Sequence, residues 1–222
     1  DSIASVSLIG ETKAIGLASG KILEAKNVII ASGANARKLG VPNESKFIGK
    51  GVSYCATCDG AFFKGKTVAV IGGGNTAAED ALYLEKLAKK VYMVHRRDAL
   101  RADDILVKRL EKSNVEIAWD SVVENLGGED KITQLTLKNV KTNALTTISV
   151  DGVFVAIGQT PNSQGFENIS LSSGGYIIAD ENMHTNIDGV YAVGDVREKS
   201  LRQVVTACAD GAIAANAIVN GI

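Results

Sequence analysis

Cysteine is scarce: 222 residues hold only three, too few to staple a disulfide scaffold. Proline occurs twice and aromatic residues make up 5%, which excludes proline-rich and collagen-like chains. The longest apolar stretches, Val153 to Ile157 and Ala212 to Ala215, fall far short of the ~20 residues of a membrane span. No secretory pattern of basic residues followed by an apolar run opens the chain. Neither sign of charge dominates, since 24 Lys and Arg face 25 Asp and Glu for a net −1. With no broad positive field for a phosphate backbone, nucleic acid is not an expected partner. A zinc site would have to draw four ligands from Cys55, Cys58, Cys208, His95 and His184, and no second CxxC or HxxxH supplies them, so no metal is expected.

Glycine is plentiful, at 23 positions, beside 45% hydrophobic and 22% charged residues. That balance predicts an α/β protein rich in tight strand-to-helix turns. Ile3 to Ile9, Ala14 to Ala18 and Lys21 to Ala25 alternate between Gly10, Gly16 and Gly20, which predicts an antiparallel meander. Asn27 to Ala34 reads as a fully buried parallel strand. The pattern weakens from Arg37 to Gly51, a connection. A βαβ unit follows, with a strand from Lys66 to Ile71, a helix from Asn75 to Leu87 and a strand from Lys90 to His95. A helix over 103–112 and a strand over 115–119 come next. Val122 to Gly127, Ile132 to Val140 and Leu145 to Val150 read as antiparallel strands, with Lys141 to Ala144 as a hairpin loop. Val153 to Gly158 returns as a buried strand, Gly158 to Asn162 is a second crossing, and Val190 to Val193 precedes a helix over 203–220.

Chemistry concentrates in a short stretch. Cys55-Ala56-Thr57-Cys58-Asp59 is a CxxC pair whose sulfurs can close a small ring, and Asp59 is a candidate proton donor and acceptor beside it. Gly72-x-Gly74-x-x-Ala77, with Asn75 and Thr76, then lies between a strand and a helix, the context that makes a glycine pattern a dinucleotide fingerprint. Its backbone can approach a pyrophosphate at the helix N-terminus. An NAD site would carry an acid about 20 residues on. Here His95-Arg96-Arg97 and Arg101 stand there instead, guanidinium groups suited to a 2′-phosphate and hence to NADPH over NADH. Hydride donors move electron pairs while thiols exchange as thiolates, so a flavin between them is expected. Gly33 after the buried strand, Gly194-Asp195 and Arg202-Gln203-Val204 are candidate flavin contacts, and Ile157 and Gly158 are further candidate cofactor contacts. Cys208, among small apolar residues, reads as a packing thiol.

Together, Cys55 to Gly60, Gly72 to Ala77, His95 to Arg97 with Arg101, Gly194-Asp195 and Arg202-Gln203 resemble the low-molecular-weight thioredoxin reductases of the pyridine nucleotide–disulfide oxidoreductase superfamily. The resemblance implies a Rossmann-like NADPH-binding domain inserted into a FAD-binding domain, with FAD portions at 1–40 and 161–222 and the NADPH and dithiol domain at 41–160. It implies that Cys58 lies nearer the flavin, that Cys55 exchanges with thioredoxin, that the domains rotate about connections near 34–41 and 156–161, and that the protein is a cytoplasmic homodimer. The family opens with its own glycine-rich FAD segment, and none precedes the meander here. Roughly a hundred residues of that pattern are therefore expected outside this chain, leaving NADPH affinity and the dithiol but no stably bound FAD. Two alternatives are a flavoprotein serving peroxiredoxin, whose redox motif usually differs between the cysteines, and a non-catalytic NADPH-binding module.

Overall fold

Alternation between glycines draws the first segment into three antiparallel strands, β1 (Ile3–Ser7), β2 (Lys13–Leu17) and β3 (Ile22–Ala25), in the order β1-β2-β3. The computed structural model describes residues 1–221. They divide into two units, one built from Asp1–Asn35 with the chain from Gln159 onward, the other from Ala36–Gly158. In chain order β4 (Val28–Ile30) and β5 (Ala34–Ala36) follow, then α1 (Glu44–Phe47), β6 (Val52–Ser53), α2 (Ala56–Asp59) and a 3₁₀ turn over Gly60–Phe63. Next come β7 (Thr67–Ile71), α3 (Asn75–Glu85), β8 (Lys90–Val94), α4 (Asp104–Glu111) and β9 (Glu116–Ala118). The hairpins β10 (Ser121–Gly127), β11 (Gln134–Asn139) and β12 (Leu145–Ser149) lead to β13 (Gly152–Val155) and β14 (Gln159–Pro161). The chain closes with β15 (Val190–Ala192), a 3₁₀ turn over Gly194–Val196 and α5 (Val204–Asn220).

The Ala36–Gly158 unit centres on a parallel sheet in the order β6-β13-β7-β8-β9. Successive side chains of a strand point to opposite faces, and β7 shows the consequence. Val68 and Val70 join the cluster formed with α3 and α4, while Ala69 and Ile71 join the cluster against the antiparallel β10-β11-β12 sheet. Both faces are covered, which is why Thr67-Val68-Ala69-Val70-Ile71 is almost unbroken in apolar character. In the other unit β4 and β15 pair in parallel, and Leu8, Ile30, Ile177, Val190 and Val196 form its main core.

The expected helices and strands mostly fall within one or two residues of the observed ones; the strand expected to reach Gly158 ends at Val155, and β6, α2 and the 3₁₀ turns were not expected. Strand β4 is short, and Ile29 is 40% exposed, so it is not the fully buried strand that its composition suggested. The reason is alternation: Val28 and Ile30 face the core, while Ile29 points to the opposite face and joins no hydrophobic cluster. The weakly patterned 37–51 segment hides α1, and the two crossings carry β5 and β14, which pair as a ribbon. Elements of three or four residues are too short to show a period.

Candidate functional site

The redox pair sits where β6 ends and α2 begins. Cys55 and Cys58 are joined as a disulfide with Cα atoms 5.3 Å apart. Cys55 is the N-cap of α2, and the Cys58 N–H donates to its Sγ at 3.2 Å. Cys58 is exposed and Cys55 half-buried. Buried Ser53, on β6, orders this turn: its hydroxyl donates to Oδ2 of Asp59 at 2.6 Å and accepts from the Cys55 N–H at 3.1 Å. Asp59 is thus held against the dithiol loop rather than left to solvent, a geometry suited to exchanging a proton there. Tyr54, the residue before Cys55, donates to Oε1 of buried Glu44 at 2.8 Å, and the same carboxylate accepts from the N–H groups of Leu39 and Gly40. Burial, and then Glu44, push the Tyr54 phenol well above its usual range.

On the same sheet the glycine turn follows β7 and opens α3, with Gly74 as N-cap. A Cβ on Gly72 would strike the Ala156 carbonyl and, at 2.7 Å, the Ala77 methyl; one on Gly73 would strike the His95 ring. Glycine is needed at both positions for close approach. The basic loop after β8 is stapled to this turn. Arg101 N–H donates to the Gly73 carbonyl at 2.7 Å, and Asn75 and Asp103 exchange two bonds of 2.8 Å, Nδ2 to Oδ2 and the Asp103 N–H to Oδ1. Arg96, Arg97 and Arg101 remain exposed beside it. The arrangement presents the helix N-terminus and three guanidinium groups on one edge of the sheet, a setting suited to phosphate groups.

His95 has a different place from the one expected among cofactor contacts. It is 5% exposed, packs under Gly73 and bonds through Nε2 to the Ala99 carbonyl at 3.0 Å. Burial holds its imidazole below the usual range, against the bond to Ala99 and helped by the charges of Arg101 and Arg97. It supports the turn from behind. Asn75 likewise spends its side chain on Asp103. Thr76 is exposed and Ala77 buried at the start of α3; Ile157 is 37% exposed, and the Gly158 carbonyl accepts from the Arg37 N–H at 3.0 Å. In the second turn of α3, Asp80 is pushed up to about 6 by burial and then by Glu79.

The Gly33, Gly194, Asp195, Arg202, Gln203 and Val204 set lies in the other unit. Gly194 opens the second 3₁₀ turn at φ 71, a left-handed backbone that suits glycine. Gln203 and Thr206 form a capping box at the start of α5, while Val204 is 81% exposed. Oδ1 of Asp195 and Nε of Arg202 are buried with no partner among the described residues. Orphaned acceptors and donors of this kind are rare unless a ligand completes them, so the set fits a polar group such as the ribityl chain and ring edge of a flavin. Arg202 also stacks on Tyr176, 3.9 Å from its centroid.

Sequence reasoning missed the residue that shapes this turn. Asp210, 6% exposed on α5, accepts from the Gly194 N–H at 2.9 Å, from Lys199 Nζ at 2.7 Å and from Arg197 Nη1 at 3.2 Å. Its only sequence signal is that it is the single charged residue of α5. Asp210→Ala leaves two cations poorly compensated and is expected to cost about 3–5 kcal/mol, measured by chemical denaturation; a cost below about 1 kcal/mol would mean that the cluster behaves as a surface pair. Cys208 also departs from expectation. It is a free, exposed thiol rather than a packing one, because α5 turns Asp210, Ala214 and Ala217 inward and Cys208 lies off that face.

The pattern of the family described as pyridine nucleotide-disulphide oxidoreductase matches residues 4–211. The thioredoxin reductase of Peptoclostridium acidaminophilum is 48% identical over 97% of this chain and 70% of its own length. That of Bacillus subtilis is 47% identical over 90% of the chain and 65% of its own length. The crystal structure of thioredoxin reductase from Streptococcus pyogenes superposes with a TM-score of 0.91 at 44% identity, covering 98% of this chain and 72% of that one. This chain therefore spans about two thirds of the length of such relatives.

Proposed function

Because this chain belongs to the pyridine nucleotide–disulphide oxidoreductase family, we propose that it carries the dithiol and nucleotide site of an NADPH-dependent thioredoxin-disulfide reductase. The observation that supports this most directly is the Cys55–Cys58 disulfide, held by Ser53 and Asp59 in the same unit as a glycine turn stapled to the loop that bears Arg96, Arg97 and Arg101. The nucleotide and dithiol roles fall to the Ala36–Gly158 unit. The other unit, with Asp195, Arg202 and Gln203, is the part that would hold FAD. That flavin, when bound, supplies the conversion between a hydride from NADPH and two electrons for a disulfide.

The chain's own residues account for the rest. The turn from Gly72 to Ala77 takes the pyrophosphate and the arginines the 2′-phosphate, so the nucleotide is oriented before it reacts. Two electrons and two protons open the Cys55–Cys58 bond to a dithiol, with Asp59 giving up or collecting a proton at the sulfur beside it. The Cys55 thiolate then attacks the thioredoxin disulfide, forming a mixed disulfide and releasing one thioredoxin thiolate. Attack by the Cys58 thiolate on Cys55 re-forms the original bond and frees the second thiol of reduced thioredoxin. NADPH oxidation coupled to thioredoxin reduction, with FAD supplied, tests the reading. Tight NADPH binding with no disulfide reduction would leave only a nucleotide-binding module.

Phe62 is 73% exposed in the 3₁₀ turn that follows the dithiol helix, while its neighbour Phe63 packs edge-on against Phe154. An exposed aromatic beside a reactive disulfide is a natural anchor for a protein substrate. Phe62→Ala is expected to raise KM for thioredoxin about tenfold and to leave reduction of a small aromatic disulfide unchanged. Equal loss on both substrates would place Phe62 in the chemistry or the fold instead.

A further inference from the structure

Trp119 has no role in the function above. It is the sole tryptophan of the chain and lies 38% exposed in the link between β9 and β10. Its backbone is fastened on both sides to the arginine-bearing loop. His95 N–H donates to the Ala118 carbonyl at 3.0 Å, Asp120 N–H to the Arg97 carbonyl at 3.2 Å, and Ser121 N–H to the His95 carbonyl at 2.9 Å. The indole meets the His95 ring edge-on, with centroids 6.3 Å apart. Lys141 closes the same corner by pairing with Asp98 at 3.1 Å and Asp120 at 2.9 Å. Trp119 is therefore held in register with the basic loop, not left as a loose surface side chain.

Strand order supplies a direction. β7, β8 and β9 are parallel neighbours, about 4.8 Å apart, and their carboxyl ends share one edge of the sheet. The glycine turn follows β7, the arginines follow β8 and Trp119 follows β9. A dinucleotide lying across these strand ends, with its pyrophosphate at the first and its 2′-phosphate at the second, carries its base onward toward the third. A purine has a flat π face, and an exposed indole is the side chain best able to cover it.

We propose that Trp119 is a binding residue for the adenine base of NADPH, so that three successive strand ends grip pyrophosphate, 2′-phosphate and base. This rests on the NADPH reading of the turn and arginines. Since Trp119 is the only tryptophan, indole fluorescence reports on it alone. Titration of the chain with adenosine 2′,5′-bisphosphate, which carries base and 2′-phosphate but no nicotinamide, should quench the emission with the Kd that calorimetry gives. Nicotinamide mononucleotide, which lacks adenine, should leave the emission unchanged. Trp119→Ala should weaken the bisphosphate about tenfold, and Trp119→Phe, which keeps a ring and controls for folding, by less than about threefold. Binding detected by calorimetry without quenching, or with unchanged affinity in Trp119→Ala, overturns the role of Trp119 while the NADPH site stands. Absence of any binding of NADPH or the bisphosphate to the unaltered chain overturns both.

Discussion

Cys58→Ser is expected to lower NADPH-dependent thioredoxin reduction at least about a thousandfold, since members of a catalytic unit fail together. The pair works only as a pair. With serine at 58 no intramolecular disulfide can form, and a hydroxyl at neutral pH cannot replace a thiolate in attacking a mixed disulfide. Cys55 keeps its place, because Ser53 binds its N–H and its carbonyl accepts from Asp59 N–H at 3.1 Å. The variant should therefore still form a mixed disulfide through Cys55, trapped with a thioredoxin whose second redox cysteine is replaced by serine and whose remaining one carries an aromatic thiol as leaving group, and seen by non-reducing electrophoresis; with native thioredoxin the released thiolate reverses the step. Cys55→Ser should lose the same activity and capture far less. NADPH binding, measured by calorimetry, should be unaltered in both, since neither sulfur takes part in the glycine turn. Thioredoxin reduction at the unaltered rate in Cys58→Ser would remove the dithiol from the mechanism.

The second large effect is on nucleotide choice. Arg96→Gln with Arg97→Gln is expected to raise KM for NADPH about a hundredfold, the loss of two charge-assisted contacts to a dianion, while KM for NADH changes by less than about threefold. Both side chains are exposed, and their loop is held through the Arg101 N–H, the Asn75–Asp103 pair and the buried His95 ring. None of these fastenings uses the side chain of Arg96 or Arg97, so the cradle should keep its shape. Steady-state kinetics with both nucleotides separate the outcomes. Equal losses for NADPH and NADH would mean that the arginines support the turn and do not read the phosphate.

The legible parts of this protein were those written within a few residues. Thr67 to Ile71 announces a strand covered on both faces because every position is apolar or β-branched, and the glycines after it announce the turn because nothing larger fits beneath Ala156 or over His95. The CxxC spacing likewise places two sulfurs within bonding reach, and they are bonded. Illegible were the pairings that join distant segments. Asn75 with Asp103 needs the chain to fold back over 28 residues, and Asp210 reaches Gly194 only because α5 returns across the 3₁₀ turn. His95 stood in a run that looked wholly ligand-facing, yet its ring is buried under Gly73 and bonded to the Ala99 carbonyl, while Arg96 and Arg97 stay exposed. Cys208 looked like core because its neighbours are small and apolar, but composition cannot tell which face of a helix is covered.

The sequence by itself determined the chemical groups on offer: a cysteine pair at CxxC spacing, a glycine turn between strand and helix and a cluster of guanidinium groups, all set by residue type and local spacing. Tertiary structure alone decided which side chains face outward to act and which hold those in place. Burial and long-range hydrogen bonds depend on where remote segments meet, and no local period encodes that.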